Sequence, residues 1–235
     1  MPAHNPARRA NLQRIATLSA LGLLGPAGIS GVIQEALAAG DMPAIPGINR
    51  VEGKVMVNGA PAKVGTPVKP GDTVTTGKVS MAVVVMAGDA FLLREESNIT
   101  FKGKGDILDE VIVAAGKLLS VFSKRRTAGL KVSTKNATIG IRGTGMYLES
   151  VEKSRDYFCL CYGEAAVDGK GMTTKIIKTT HHETPVWLDD ASGSMKVEPG
   201  PFLNHTDAEL IVLESLVGRK PAFWNSSFDP KTTRY

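Results

Sequence analysis

From Val51 onward, apolar and polar positions alternate with a period of two. Val51, Gly53, Val55 and Val57 fall on one side, Glu52, Lys54 and Met56 on the other, and Asn58-Gly59 follows as a turn signal. The same pattern predicts short strands over 81–86, 91–94, 99–101, 110–113, 117–122, 130–134, 137–141, 146–151 and 157–162. One helix is predicted, over 207–217. Thr206-Asp207-Ala208-Glu209 reads as a capping box, Leu210, Leu213 and Val217 form an apolar stripe, and Gly218 with Pro221 ends the segment. The stripe is expected to dock on the β region, with Glu214 on the exposed face.

Gly71-Asp72, Gly88-Asp89 and Gly105-Asp106 recur at intervals of 17 residues between apolar runs. Such spacing fits stacked coils, and it also fits the turns of a strand meander. The fold class expected is mainly β, a short-stranded β-solenoid or twisted β-helix-like domain with one C-terminal α-helix.

At 235 residues and 43% hydrophobic the chain can bury one sizeable core, and 25 glycines with 13 prolines favour many turns over a helical bundle. The formal charge of +5 includes +2 from the first 38 residues, where Arg8, Arg9 and Arg14 stand against Glu35. The remaining +3 is too mild for a nucleic-acid groove, and Lys124-Arg125-Arg126 lacks interleaved aromatics and reads as a solvated loop. The only apolar stretch near membrane-spanning length is N-terminal, which argues against a multi-pass membrane protein.

That stretch reads as an export signal. Arg8-Arg9 precedes a weakly apolar run from Ile15 to Ile33, and Ala36-Leu37-Ala38 offers a small-x-small cleavage site. It resembles a bacterial twin-arginine signal, although Asn11 stands where a bulky apolar residue is usual, so general secretion stays open. An uncleaved anchor is the alternative to a periplasmic mature chain. The expected layout is signal 1–38, linker 39–50, β domain 51–168 and C-terminal extension 169–235.

Over 51–168 the chain resembles a FecR-type domain. The resemblance rests on VEGKVMVNG, VKPGDTVTTGKVSMAVVVMAGDAFLLREESNITF, AAGKLLSVF, VSTKNATIGIRGTGMYLE and CLCYGEAAV, with GDTVTTG and ATIGIRGTG the most specific blocks. It implies a twisted or solenoid-like β module of the cell envelope, a protein or envelope-ligand partner, a role in signalling and no catalysis. Only seven residues precede Arg8, so the cytoplasmic anti-sigma segment of the transmembrane regulators is not expected here. NHTDAELIVLESLVGRKPAF also resembles the tail of stand-alone members.

The residues themselves offer no catalytic set. Gly140, Gly143 and Gly145 lack dinucleotide-loop spacing, Arg142-Gly143-Thr144 reads as a tight turn, and His182-Glu183 is followed by Pro185 without a second metalloprotease histidine. Soft and imidazole ligands do gather. The only cysteines are Cys159 and Cys161, and the only histidines outside the signal are His181, His182 and His205. Two apart on a strand, the cysteines face one side, whereas adjacent His181 and His182 face opposite sides, so one of that pair is expected to join them. With His205 this makes a tetrahedral set suited to zinc, or to copper if one sulfur and two imidazoles dominate. Buried thiols or a disulfide are the competing reading, under which the chain needs no cofactor.

Overall fold

The computed structural model describes residues 45–124 and 129–224. The signal with Arg8, Arg9 and Ala36-Leu37-Ala38, the last two residues of the basic run, Arg125-Arg126, and the last eleven residues of the chain lie outside them.

Among the described residues, fourteen strands and one helix follow in order: β1 (Gly47–Glu52), β2 (Val55–Val57), β3 (Ala60–Pro61), β4 (Thr73–Thr76), β5 (Met81–Met86), β6 (Asp89–Leu93), β7 (Asn98–Lys104), β8 (Ile107–Val121), β9 (Lys131–Ser133), β10 (Ala137–Ser150), β11 (Arg155–Gly169), β12 (Lys175–Thr179), β13 (Val186–Asp189), β14 (Lys196–Pro199) and α1 (Asp207–Leu216). All belong to one continuous open sheet apart from the helix. Every described pairing is antiparallel except β8 with β9. The mainly β class with one helix therefore holds. Stacked parallel coils are not seen among the described residues, and the evenly spaced Gly-Asp pairs sit at turns between successive strands.

Three long strands organise the sheet, because each runs through two layers. The first half of β8 and of β10, with the second half of β11, joins β2, β4, β7, β9 and β12. Their other halves join β1, β5, β6, β13 and β14. The layers face one another across an aliphatic and aromatic core, where Phe91 of β6 meets Phe101 of β7 edge to face at 5.0 Å.

Passing between layers requires a change of side-chain parity, which the sequence supplies with bulges. On β10, Ile139 and Ile141 point into this core before the irregularity at Arg142–Gly145, whereas Met146 and Leu148 do so after it. Arg142-Gly143-Thr144 is thus a bulge inside one strand rather than the tight turn expected, and strands read separately as 137–141 and 146–151 are one. Gly143 (φ 63°) and Gly163 (φ 101°) face each other at the bend. A Cβ on Gly163 would lie 2.8 Å from the Gly143 carbonyl oxygen, so neither positive φ nor space admits a larger residue.

The strand alternation also places residues on the outer face of the second layer. Met81, Val83, Val85, Ala90, Leu92, Leu119, Val121, Tyr147, Tyr157, Cys159 and Cys161 form a second core with Leu210, Leu213 and Leu216 of α1. The capping box at Thr206 and Glu209 is present as read. Glu214 is not outward. It is 3% exposed and accepts hydrogen bonds from the Tyr162 hydroxyl and, at 2.6 Å, from Arg219 Nε. The chain after Leu216 folds back over that face, with Phe223 packed on Tyr162, and so removes the solvent that amphipathic reading assumed.

The boundaries read from sequence also shift. β1 begins inside the stretch taken as linker and pairs with β5, while β12 to β14 extend the sheet well past residue 168. The strands of residues 175–199 are part of the sheet.

Candidate metal centre

Four donors converge beneath the N-terminus of α1. Cys159 and Cys161 come from the middle of β11, His182 from the turn after β12, and His205 from the residue preceding the helix N-cap. One ligand atom from each lies within 4.8 Å of all the others. Both cysteines are fully buried free thiols, and His182 and His205 are 8% and 3% exposed. The backbone decides which of the adjacent histidines enters. His182 takes a left-handed conformation (φ 56°), which turns its ring inward, and its N–H donates to the Cys161 carbonyl at 3.0 Å.

Hydrogen bonds fix the tautomers. His205 Nδ1 lies 2.6 Å from the Leu203 carbonyl oxygen, which can only accept, so the proton sits on Nδ1 and the Nε2 lone pair points inward. His182 Nε2 lies 3.0 Å from Asp207 Oδ1 and donates to that carboxylate, so Nδ1 is the nitrogen that faces inward. These two inward nitrogens are 3.3 Å apart, and His182 Nδ1 is 3.5 Å from Cys159 Sγ. Metal–nitrogen bonds of about 2.05 Å and metal–sulfur bonds of about 2.3 Å give a tetrahedron with edges of about 3.3 Å between nitrogens and about 3.6 Å between nitrogen and sulfur. The protein holds both spacings.

Electrostatics around the cluster favours an anionic sulfur at Cys159 and a neutral one at Cys161. The Cys161 thiol, together with His182 and His205, lowers the Cys159 thiol to about 4 against the opposing effect of burial. Burial, then the neighbouring Cys159, pushes Cys161 up. Burial works against the His182 imidazolium, but Asp207 and Cys159 outweigh it and raise His182 above the usual range. Burial would raise Asp207, yet the two imidazoles hold its carboxyl below the ordinary value.

His181 stands outside the donor set. Its Nε2 donates to Asp207 at 2.9 Å and its ring stacks on Phe223 at 4.4 Å. Around the donors, Tyr147 stacks on His205 at 4.6 Å and Phe202 lies against both His182 and His205. Sequence reading missed Asp207, which it saw only as part of the capping-box tetrapeptide. No local signal pointed to it, because the rings it binds, His181 and His182, are more than twenty residues away in sequence.

Comparison with known proteins adds little to this geometry. No family model matches the chain, and no curated protein matches it. Two crystal structures of a candidate anti-sigma factor from Parabacteroides distasonis, at 1.65 and 2.50 Å resolution, are similar at a TM-score of 0.46 and 11% identity. Each similarity covers 54% of this chain and 59% of the other, so it spans little more than half of either.

Proposed function

We propose that this protein is an exported, non-enzymatic β module that binds an envelope partner and is built around a tetrahedral metal centre of Cys159, Cys161, His182 and His205. The observation that carries the metal reading is the convergence of two imidazole nitrogens and two sulfurs within 4.8 Å of one another, with the His182–His205 and His182–Cys159 spacings matching a tetrahedron and the outer nitrogen of each ring held by a second hydrogen bond. Two thiolates with two imidazoles suit zinc; a copper electron-transfer set would use one thiolate. Four protein ligands fill a tetrahedral ion and leave no position for substrate, which supports a structural role over a catalytic one. Export and partner binding rest on Arg8-Arg9, Ala36-Leu37-Ala38 and the FecR-type resemblance.

Metal analysis of protein purified without a histidine tag tests the centre. The expected result is one zinc per chain, absent from Cys161→Ser and His205→Ala, with protons released on reconstitution. Cobalt should give thiolate charge-transfer bands in the parent only. A metal-free parent that folds normally and refuses both zinc and copper overturns the reading, leaving the binding module alone with two packing cysteines. For export, lysine at both Arg8 and Arg9 should strand precursor in the cytoplasm, and continued export would point to general secretion.

A further inference from the structure

The four donors belong to three segments that the sheet does not hold equally. Cys159 and Cys161 lie in the middle of β11, which pairs with β10 along most of its length, with an irregularity at Cys161, and is flanked on its other side by β13 before the cysteines and by β12 after them. His182 lies in the turn between β12 and β13, and His205 in the irregular segment that leads into α1. α1 shares no backbone hydrogen bond with the sheet among the described residues. It is held by Leu210, Leu213 and Leu216, and by side-chain links such as Arg94 to Glu209 at 2.8 Å and Arg219 to the Gly88 carbonyl at 2.6 Å. A helix of ten residues is marginal on its own.

We propose that the metal is a clasp fastening the segment 202–216 over the second layer, so that coverage of that face depends on metal. This rests on the metal reading above. His205 is a ligand one residue before the N-cap, and Asp207, the first helical residue, receives the His182 ring proton. A single ion thereby joins β11, the 180–185 turn and the start of α1. Without it, the segment 202–216 keeps only the apolar packing of α1 and side-chain links such as those of Asp207, Glu209 and Arg219, and no backbone ladder holds it to the sheet among the described residues.

Hydrogen exchange on the full chain, zinc-loaded and after chelation, with zinc stoichiometry read on the same samples, tests the clasp. Chelation should speed exchange over 180–185 and 202–216 while β5 and β6 stay protected. Equal protection of 202–216 in both forms, with zinc bound at one per chain, overturns the clasp and leaves the metal centre standing. Loss of protection across the whole sheet also overturns it, because the metal would then support the entire fold. Failure to bind zinc at all removes the metal centre itself. A second measurement avoids the ligands. Leu216→Ala touches none of them, yet docking and binding are linked, so its zinc affinity should fall by about tenfold or more. Unchanged affinity overturns the clasp.

Discussion

Two cores flank the second layer of the sheet, and they are made of different chemistry. The inner one, between the layers, is Val, Leu, Ile, Phe, Met and Ala throughout. The outer one, under α1, brings three tyrosines and both cysteines among its aliphatic residues, with His182, His205, Asp207, Glu209 and Glu214 buried along its rim. An aliphatic core is stabilised by area and fit and tolerates no change of volume, whereas a polar one is stable only while every group keeps its partner. The inner core therefore answers for the fold, and the outer core for how the C-terminal segment attaches.

The largest effect should come from the inner core. Phe91 is fully buried against Phe101 and Phe122, so Phe91→Ala should cost about 3–5 kcal/mol in chemical denaturation, equally with and without metal. A metal-dependent cost would erase the distinction between the cores. Next is Leu213→Asp, which sets a carboxylate into the outer core at a residue 1% exposed. A loss of about 3 kcal/mol is expected in the metal-loaded protein, and a clearly smaller one after chelation. Glu214→Lys would deprive the Tyr162 hydroxyl of its acceptor and place a cation beside Arg219, for a loss of about 2 kcal/mol. Read as an exposed site it would have been neutral, so a melting curve separates the two descriptions.

The smallest effect concerns a carboxylate away from both. Asp156 of β11 is fully buried and accepts from Thr134 at 2.6 Å. Burial, opposed only in part by the hydrogen bonds of Thr134, Ser150 and Asn136, raises its pKa. A raised carboxyl favours folding below its unfolded value of 3.8, and that contribution is lost as pH rises through the folded value. Asp156→Asn should therefore raise Tm at pH 7 by roughly 1–3 °C and leave it unchanged near pH 3. A lower Tm at pH 7 would show that the charged form is the one the site prefers.

Much of this was legible from local pattern. β5 coincides with the apolar run 81–86, and the helix begins where the capping box placed it. β3, β4, β12, β13 and β14 escaped because they are short, two to five residues each, and are defined by partners rather than by their own periodicity. Paired strands were read in place of β8 and β10 because a bulge interrupts alternation as a turn does. For the site, period two placed both sulfurs on one face and limited the adjacent histidines to one entrant. That it is His182 depends on a left-handed turn conformation, and the part played by Asp207 depends on a fold that brings the helix start to the turn.

β11 carries one further consequence in its alternation. Phe158 and Leu160 enter the inner core, while Tyr157, Cys159 and Cys161 enter the outer. A slip of one residue against β10 would exchange the two sets and bury both sulfurs among aliphatic side chains, out of reach of either imidazole. The two cysteines thus mark register. The proposed ion site with His182 and His205 can assemble only in the native register, so thiol titration during refolding in the presence of zinc would count the correctly threaded population against its nearest misfolded neighbour.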